Sequence, residues 1–148
     1  MNLDQLQKEI EQDEGRVTHS YACSLGHKTV GIGHLCLEGE PEYDLPLGTA
    51  VTDERVDELF ENDIQVTLSD CQDIFLTWEQ QPEEVQLILA NMCFQLGRPR
   101  LSRFKKMIAA IESYPPQYDL AADEMHNSRW QKQTPNRANR LIARMRAV

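Results

Sequence analysis

Six of the seven glycines fall between Gly15 and Gly48. A stretch so interrupted cannot carry a long helix, because each interior glycine weakens one and favours turns and left-handed backbone. Any helices must therefore lie on either side. Before the stretch, Leu3, Leu6 and Ile10 fall at i, i+3 and i+7 and put one apolar stripe on a short helix that Gly15 is placed to end. Within it, from Val17 to Leu37, the helical period is lost and short β-branched runs alternate with glycines. That pattern predicts two or three short strands. The run Glu38–Gly48, acidic and rich in Pro and Gly, reads as a mobile loop and as the best place for a boundary between lobes.

After the loop the helical period returns. Thr52 is a predicted N-cap, with Asp53 and Glu54 in the first turn, and Val56, Leu59, Phe60, Ile64 and Leu68 share a face. This helix is expected to run to about Phe75, long enough to join a small β lobe to a helical one. Pro82 opens a helix apolar on most faces, the expected central buried helix, which Gly97 and Pro99 should end. A basic amphipathic helix is predicted over Leu101–Glu112, a break at Tyr114-Pro115-Pro116, and a short helix over Tyr118–Met125. Thr134-Pro135 is read as a cap and first turn for a basic final helix through Arg146. The fold class is therefore α+β, with a small β-ribbon lobe joined by a long helix to a mainly helical lobe. In residue terms, 1–148 form one domain, with about 15–50 in the β-containing lobe and 1–14 and 52–148 in the helical lobe.

Composition excludes several classes. The net charge is −9, but residues 1–84 hold 20 Asp/Glu against 4 Lys/Arg, and residues 85–148 hold 4 against 11. Such a dipolar chain can meet an anionic polymer with its C-terminal part; an unevenly charged, solvated surface is the plainer alternative. The basic residues at 98–106 and 129–146 lack an RNA or DNA motif with interleaved aromatics, so no nucleic-acid partner is expected. Leu87-Ile88-Leu89-Ala90 is far too short to span a membrane. The N-terminus has neither a basic n-region nor an apolar h-region, so no signal peptide is read and synthesis in the cytoplasm is expected. Cys23, Cys36, Cys71 and Cys93 form no CxxC pair and fit no zinc spacing. Their even number allows two disulfides, but reduced thiols are preferred without a secretory signal. No metal and no cofactor are expected.

The chemistry-bearing groups cluster in Glu14–His34: Glu14, Cys23, Thr29 and a Gly-x-Gly-His corner, Gly31 to His34. Singly, each has a plain reading. Glu14 sits at a helix end where the dipole disfavours a carboxylate, which hints at function, although a solvated glutamate is the usual case. Cys23 alone reads as a small buried hydrophobe, and Thr29 as a strand residue chosen for its branching. Gly31 and Gly33 suit a turn or a close backbone approach to a ligand. His34 alone suggests acid–base or metal chemistry.

Five stretches bring these residues into one frame: D-E-G at 13–15, T-V-G-I-G-H at 29–34, E-L-F-E-N-D at 58–63, N-M-C-F-Q-L-G at 91–97 and S-R-W-Q-K-Q-T-P-N-R-A-N-R at 128–140. With these the chain resembles the T-even-type phage lysozymes along nearly its whole length, least well at Glu38–Gly48. The resemblance implies a lysozyme-like fold and a muramidase. Such an enzyme hydrolyses the β-glycosidic bond between N-acetylmuramic acid and N-acetylglucosamine, with bacterial peptidoglycan as the partner, and it is expected to be a monomer. It implies Glu14 as general acid, with Cys23 and Thr29 assisting or positioning water. Leu35, Phe94, Gln95 and Gly33 would line the sugar cleft, Arg137 would contact Glu14, and His34 would pair structurally with Asp63. Trp130 reads as core. The same resemblance implies synthesis in the host cytoplasm and action on the periplasmic, cell-wall side, after release through a holin or carriage in a virion tail.

Cys23 departs from a two-carboxylate site, and it keeps other readings open. A lytic transglycosylase needs Glu14 but no water-activating partner. A cysteine hydrolase would use Cys23 with His19, His27 or His34. A non-catalytic wall-binding or virion structural module on the same scaffold would have no chemical reason to keep Glu14 at this spacing.

Overall fold

The computed structural model describes Met1–Val148. In chain order the elements are α1 (Leu3–Glu14), β1 (Val17–Ala22), β2 (Lys28–Gly31), β3 (His34–Leu35), α2 (Asp53–Ile74), α3 (Glu83–Leu101), α4 (Lys105–Glu112), α5 (Tyr118–His126), α6 (Arg129–Gln133) and α7 (Pro135–Arg146), with a 3₁₀ turn at Trp78–Gln80 between α2 and α3. The fold is α+β and lysozyme-like. The chain forms two compact units, a sheet unit of Gln7–Val66 and a helical unit of Met1–Leu6 with Thr67–Val148.

In the sheet unit, α1 stops where Gly15 turns to φ 77° and its N–H closes on the Glu11 carbonyl. The strands form an antiparallel sheet in the order β1-β2-β3. Tyr21 pairs with Thr29 and Thr29 with Leu35, with a bulge in β1 between Val17 and Tyr21. Beneath the sheet lies a small core of Val30, Cys36 and Leu59, with Val51 packed against it. Thr52 caps α2, its hydroxyl accepting from the Arg55 N–H at 3.1 Å. Arg16 gathers the Glu11, Asp53 and Asp57 carboxylates and so ties the end of α1 to the start of α2.

The Glu38–Gly48 loop, expected to be mobile, is tethered at several points. Lys28 donates to the carbonyls of Tyr43 and Leu45. Glu42, buried, is paired with Arg55 at 2.7 Å. Beside β1, the Ser20 N–H donates to the Thr49 carbonyl and the Gly48 N–H to the Ser20 carbonyl. Two of the loop's acidic residues, Glu40 and Glu42, are partners for particular cations, His34 and Arg55.

In the helical unit α3 is apolar nearly all round, with every residue from Val85 to Cys93 buried. Gly97 does not end it but breaks it, at φ 77° and ψ 162°, and one further turn carries Pro99 and ends at Leu101. Pro99 is tolerated there because it lies in the first turn after the break, where its missing N–H has no helical partner to lose. The basic helix predicted from Leu101 starts later, at Lys105. Ser102 closes a turn first, its hydroxyl donating to the Arg98 carbonyl at 2.7 Å. Against α7 pack α3, α5 and α6, and α5 also packs on α4. Cys71 and Cys93 are buried neighbours, and the hydrogen bond between them, with burial, pushes the Cys71 thiol far above its ordinary range. All four cysteines are free thiols. No helix is long and apolar enough to cross a membrane.

Thr134 does not cap α7 with its side chain. Its hydroxyl donates to the Trp130 carbonyl at 3.1 Å and so closes α6, while Pro135 opens α7. The short helix α6 itself, unforeseen in the sequence, is capped by Ser128, which accepts from the Gln131 N–H.

Candidate active site

Glu14 is the last residue of α1 and is half-buried. Its carboxyl group lies against the backbone of Gly33, so closely that a Cβ at Gly33 would stand 2.7 Å from Glu14 Oε2 and 3.0 Å from Cδ. Gly33 also holds φ at 64°, a conformation that disfavours any side chain. The Gly-x-Gly-His corner therefore seats one carboxyl group: the φ of Gly33 strains any other residue, and a side chain there would have to push the Glu14 carboxyl aside.

Cys23 sits just past β1, at the start of the turn into β2. Its N–H donates to the His27 carbonyl at 2.9 Å, and its carbonyl accepts from the Gly26 N–H at 2.8 Å. The thiol is partly exposed and drawn below the ordinary thiol range, first by the Leu25 N–H. Desolvation opposes this, and the His27 backbone and the Thr29 hydroxyl add to it. Thr29 is buried on β2, and its single hydroxyl proton points at the His27 carbonyl, 3.1 Å away. It can serve a Cys23 thiolate only by turning from His27, so the two acceptors compete for one proton.

His34 is buried between two carboxylates, with Nδ1 2.7 Å from Asp63 and Nε2 2.9 Å from Glu40. Burial alone would lower its pKa. The two carboxylates outweigh that and raise it to about 9, so the ring is an imidazolium at neutral pH. Both ring nitrogens are thereby occupied, which leaves neither for a metal or a reacting group. Glu40 also accepts from the Leu37 N–H. Against the cost of burial, that bond and His34 hold its carboxyl below the usual range. Nothing at that spacing in an acidic, turn-rich loop singled Glu40 out as a partner. Leu35 is 47% exposed on β3, in line with Thr29.

Over residues 11–147 the chain matches the phage lysozyme family. The chain belongs to the phage lysozyme family. It is an enzyme of the lysozyme class. It is 31% identical to probable T4-type lysozyme 2 of Dictyostelium discoideum, over 90% of this chain and 89% of that protein. It is 32% identical to peptidoglycan hydrolase gp36 of Pseudomonas phage phiKMV, over 93% of this chain but only 15% of that longer protein. It is also 26% identical to the pre-baseplate central spike protein Gp5 of Enterobacteria phage T4, over 89% of this chain and 26% of that one.

The phage lysozyme resemblance also singles out three residues of the helical unit. Phe94 is half-buried on α3. The Gln95 amide is engaged at both ends, its oxygen accepting from Trp130 Nε1 at 2.8 Å and its nitrogen donating to Thr134 at 3.3 Å. Arg137 is buried on α7 and donates from Nε to the Asn91 side chain at 2.9 Å. Trp130 is buried, with its ring edge-on to Phe104. Glu14, Cys23, Thr29, Gly33, His34, Leu35 and Asp63 all belong to the sheet unit, and Phe94, Gln95 and Arg137 to the helical unit.

Proposed function

We propose that the protein hydrolyses the glycan of bacterial peptidoglycan, cutting between N-acetylmuramic acid and N-acetylglucosamine. An alkoxide leaves poorly, so the bridging oxygen must be protonated as the bond breaks. Glu14 supplies that proton. Water attacks from the other face of the sugar, held by Cys23 and Thr29 in the place that a two-carboxylate glycosidase gives to its second carboxylate. A thiolate fraction at Cys23 accepts the water proton, and the Thr29 hydroxyl orients the oxygen. Leu35 and Gly33 contact the saccharide from the sheet unit. No metal and no cofactor take part.

The observation that carries this reading is the seat of the Glu14 carboxyl on Gly33, in the same compact unit as Cys23 and Thr29. One feature favours a second reading. A thiol at position 23 in place of a carboxylate is compatible with a transglycosylase, in which the muramic acid hydroxyl closes on its own anomeric carbon. The names of two relatives, a peptidoglycan hydrolase and a virion spike protein, favour the cell wall as target and allow delivery either by release from the host cytoplasm or in a virion tail.

The test is digestion of purified peptidoglycan with wild type, Glu14→Gln and Cys23→Ser, read by mass spectrometry. Glu14→Gln should lose activity by about 10²–10⁴, the usual contribution of a general acid, with its melting temperature unchanged. Cys23→Ser should fall less and keep the same products. Full activity in Glu14→Gln would refute the assignment.

A further inference from the structure

Tyr21 plays no part in the chemistry above, yet the register of the sheet sets it in the middle of the site. Residues directly opposite one another on antiparallel strands share a face, with their Cβ atoms about 4.5–5.5 Å apart. Tyr21 on β1 is opposite Thr29 on β2, and Thr29 is opposite Leu35 on β3. The three form one row across the sheet, and two of them are already assigned to water and to sugar. Cys23 lies two residues beyond Tyr21, just past the end of β1, close enough for its charge to act on the Tyr21 phenol.

The Tyr21 ring is half-buried and meets His19 edge-on at 6.5 Å between centroids. No group of the protein hydrogen-bonds its hydroxyl. Burial first, and then the charges of Glu14 and Cys23, push the phenol's pKa up. The hydroxyl therefore stays protonated throughout the neutral range and remains a donor even when both neighbours are ionised. Saccharides offer apolar C–H faces and hydroxyl acceptors together, and a tyrosine ring with a spare O–H matches both.

We propose that Tyr21 is a substrate-contacting residue that completes the Tyr21–Thr29–Leu35 row, its phenol donating to a saccharide hydroxyl beside the scissile bond. This rests on the reading of Glu14, Cys23 and Thr29 as the active site. It adds a specificity contact on the sheet side and assigns no role in proton transfer.

The test uses a tetrasaccharide of alternating N-acetylglucosamine and N-acetylmuramic acid. Its Kd is measured by calorimetry on Glu14→Gln and on Glu14→Gln/Tyr21→Phe, and KM and kcat on wild type and Tyr21→Phe. Removing one hydrogen bond to the sugar should raise Kd and KM about five- to tenfold. It should leave kcat within about twofold. The pH dependence of Cys23 alkylation, read without any sugar, should not change. In the wild type, the Tyr21 ring resonances, assigned by their loss in Tyr21→Phe, should shift on titration with the tetrasaccharide. Unchanged Kd and KM with unshifted ring resonances would overturn the proposal. So would a loss confined to kcat, which would make Tyr21 a positioning residue. If Glu14→Gln instead kept full turnover while Tyr21→Phe still weakened binding, the catalytic assignment would fall and the contact would stand.

Discussion

The two compact units are built on different principles. The helical unit holds 24 of the 32 buried apolar residues, the sheet unit only 8. The sheet unit carries 14 Asp/Glu against 4 Lys/Arg, a net −10, and the helical unit a net +1. One unit is therefore held by a packed apolar interior. The other has a thin core and relies on cations and backbone donors to organise an excess of carboxylates. The difference explains where reactive groups can sit. A glutamate, a thiol and a threonine hydroxyl can share one surface only where polar contacts already set the geometry, because such groups are costly inside an apolar core.

The comparison can be broken from either side. In the helical unit the largest losses should come from truncating the core. Leu89→Ala, at a fully buried position on α3, should cost about 2–5 kcal/mol by chemical denaturation and leave the sheet unit's site chemistry intact. In the sheet unit an equivalent loss should come from removing a charge. Arg55→Met strands the buried Glu42 carboxylate and should cost about 3 kcal/mol. If Arg55→Met proved neutral, the claim that ion pairs organise this unit would fail.

Gly33→Ala sharpens the contrast. It meets the Glu14 carboxyl at 2.7 Å and a strained φ together. Displacing that group by about 1 Å should lower the rate about 100-fold, for a stability loss of only about 1–2 kcal/mol. Activity and a melting curve on one sample separate the two effects.

The smallest expected effect is on pH dependence. His34 has a folded pKa of about 9, raised above the ordinary histidine value of 6.5. A raised pKa means that the folded state binds the proton more tightly, so the contribution is full below about pH 6.5 and is lost as pH climbs through about 9. With screening of partly exposed Glu40 and Asp63 allowed for, it amounts to about 2 kcal/mol. Denaturation midpoints should fall across that window in wild type and fall less in Asp63→Asn. A flat profile would show that the imidazolium contributes nothing.

Local signals in the sequence revealed most of the architecture. The end of α1 at Gly15, the strand-forming run after Val17, the Thr52 cap and the Pro135 start are each written in one or two residues. What escaped has no period or local motif to mark it. Glu40 looks like any solvated glutamate until His34 is set beside it, and Glu42 until Arg55 is. The 3₁₀ turn at Trp78 and the five-residue α6 are too short to show a period. Gly97 reads as a stop because its left-handed φ is common to helix ends and helix breaks. The spacing of Glu14, Cys23 and Thr29 was visible from the start, but not the Gly33 seat, which needs the end of α1 set against the turn between β2 and β3, nor the Tyr21 row, which needs the strand register.

The central claim is that Glu14, with Cys23 and Thr29, directs water to the glycan. Digesting peptidoglycan in ¹⁸O-labelled water and reading the new ends by mass spectrometry tests it most directly. Hydrolysis predicts reducing N-acetylmuramic acid ends that each carry one ¹⁸O. Unlabelled anhydro-muramic ends would contradict it, because they would mean that the sugar's own hydroxyl, and not a water held by Cys23 and Thr29, completes the reaction.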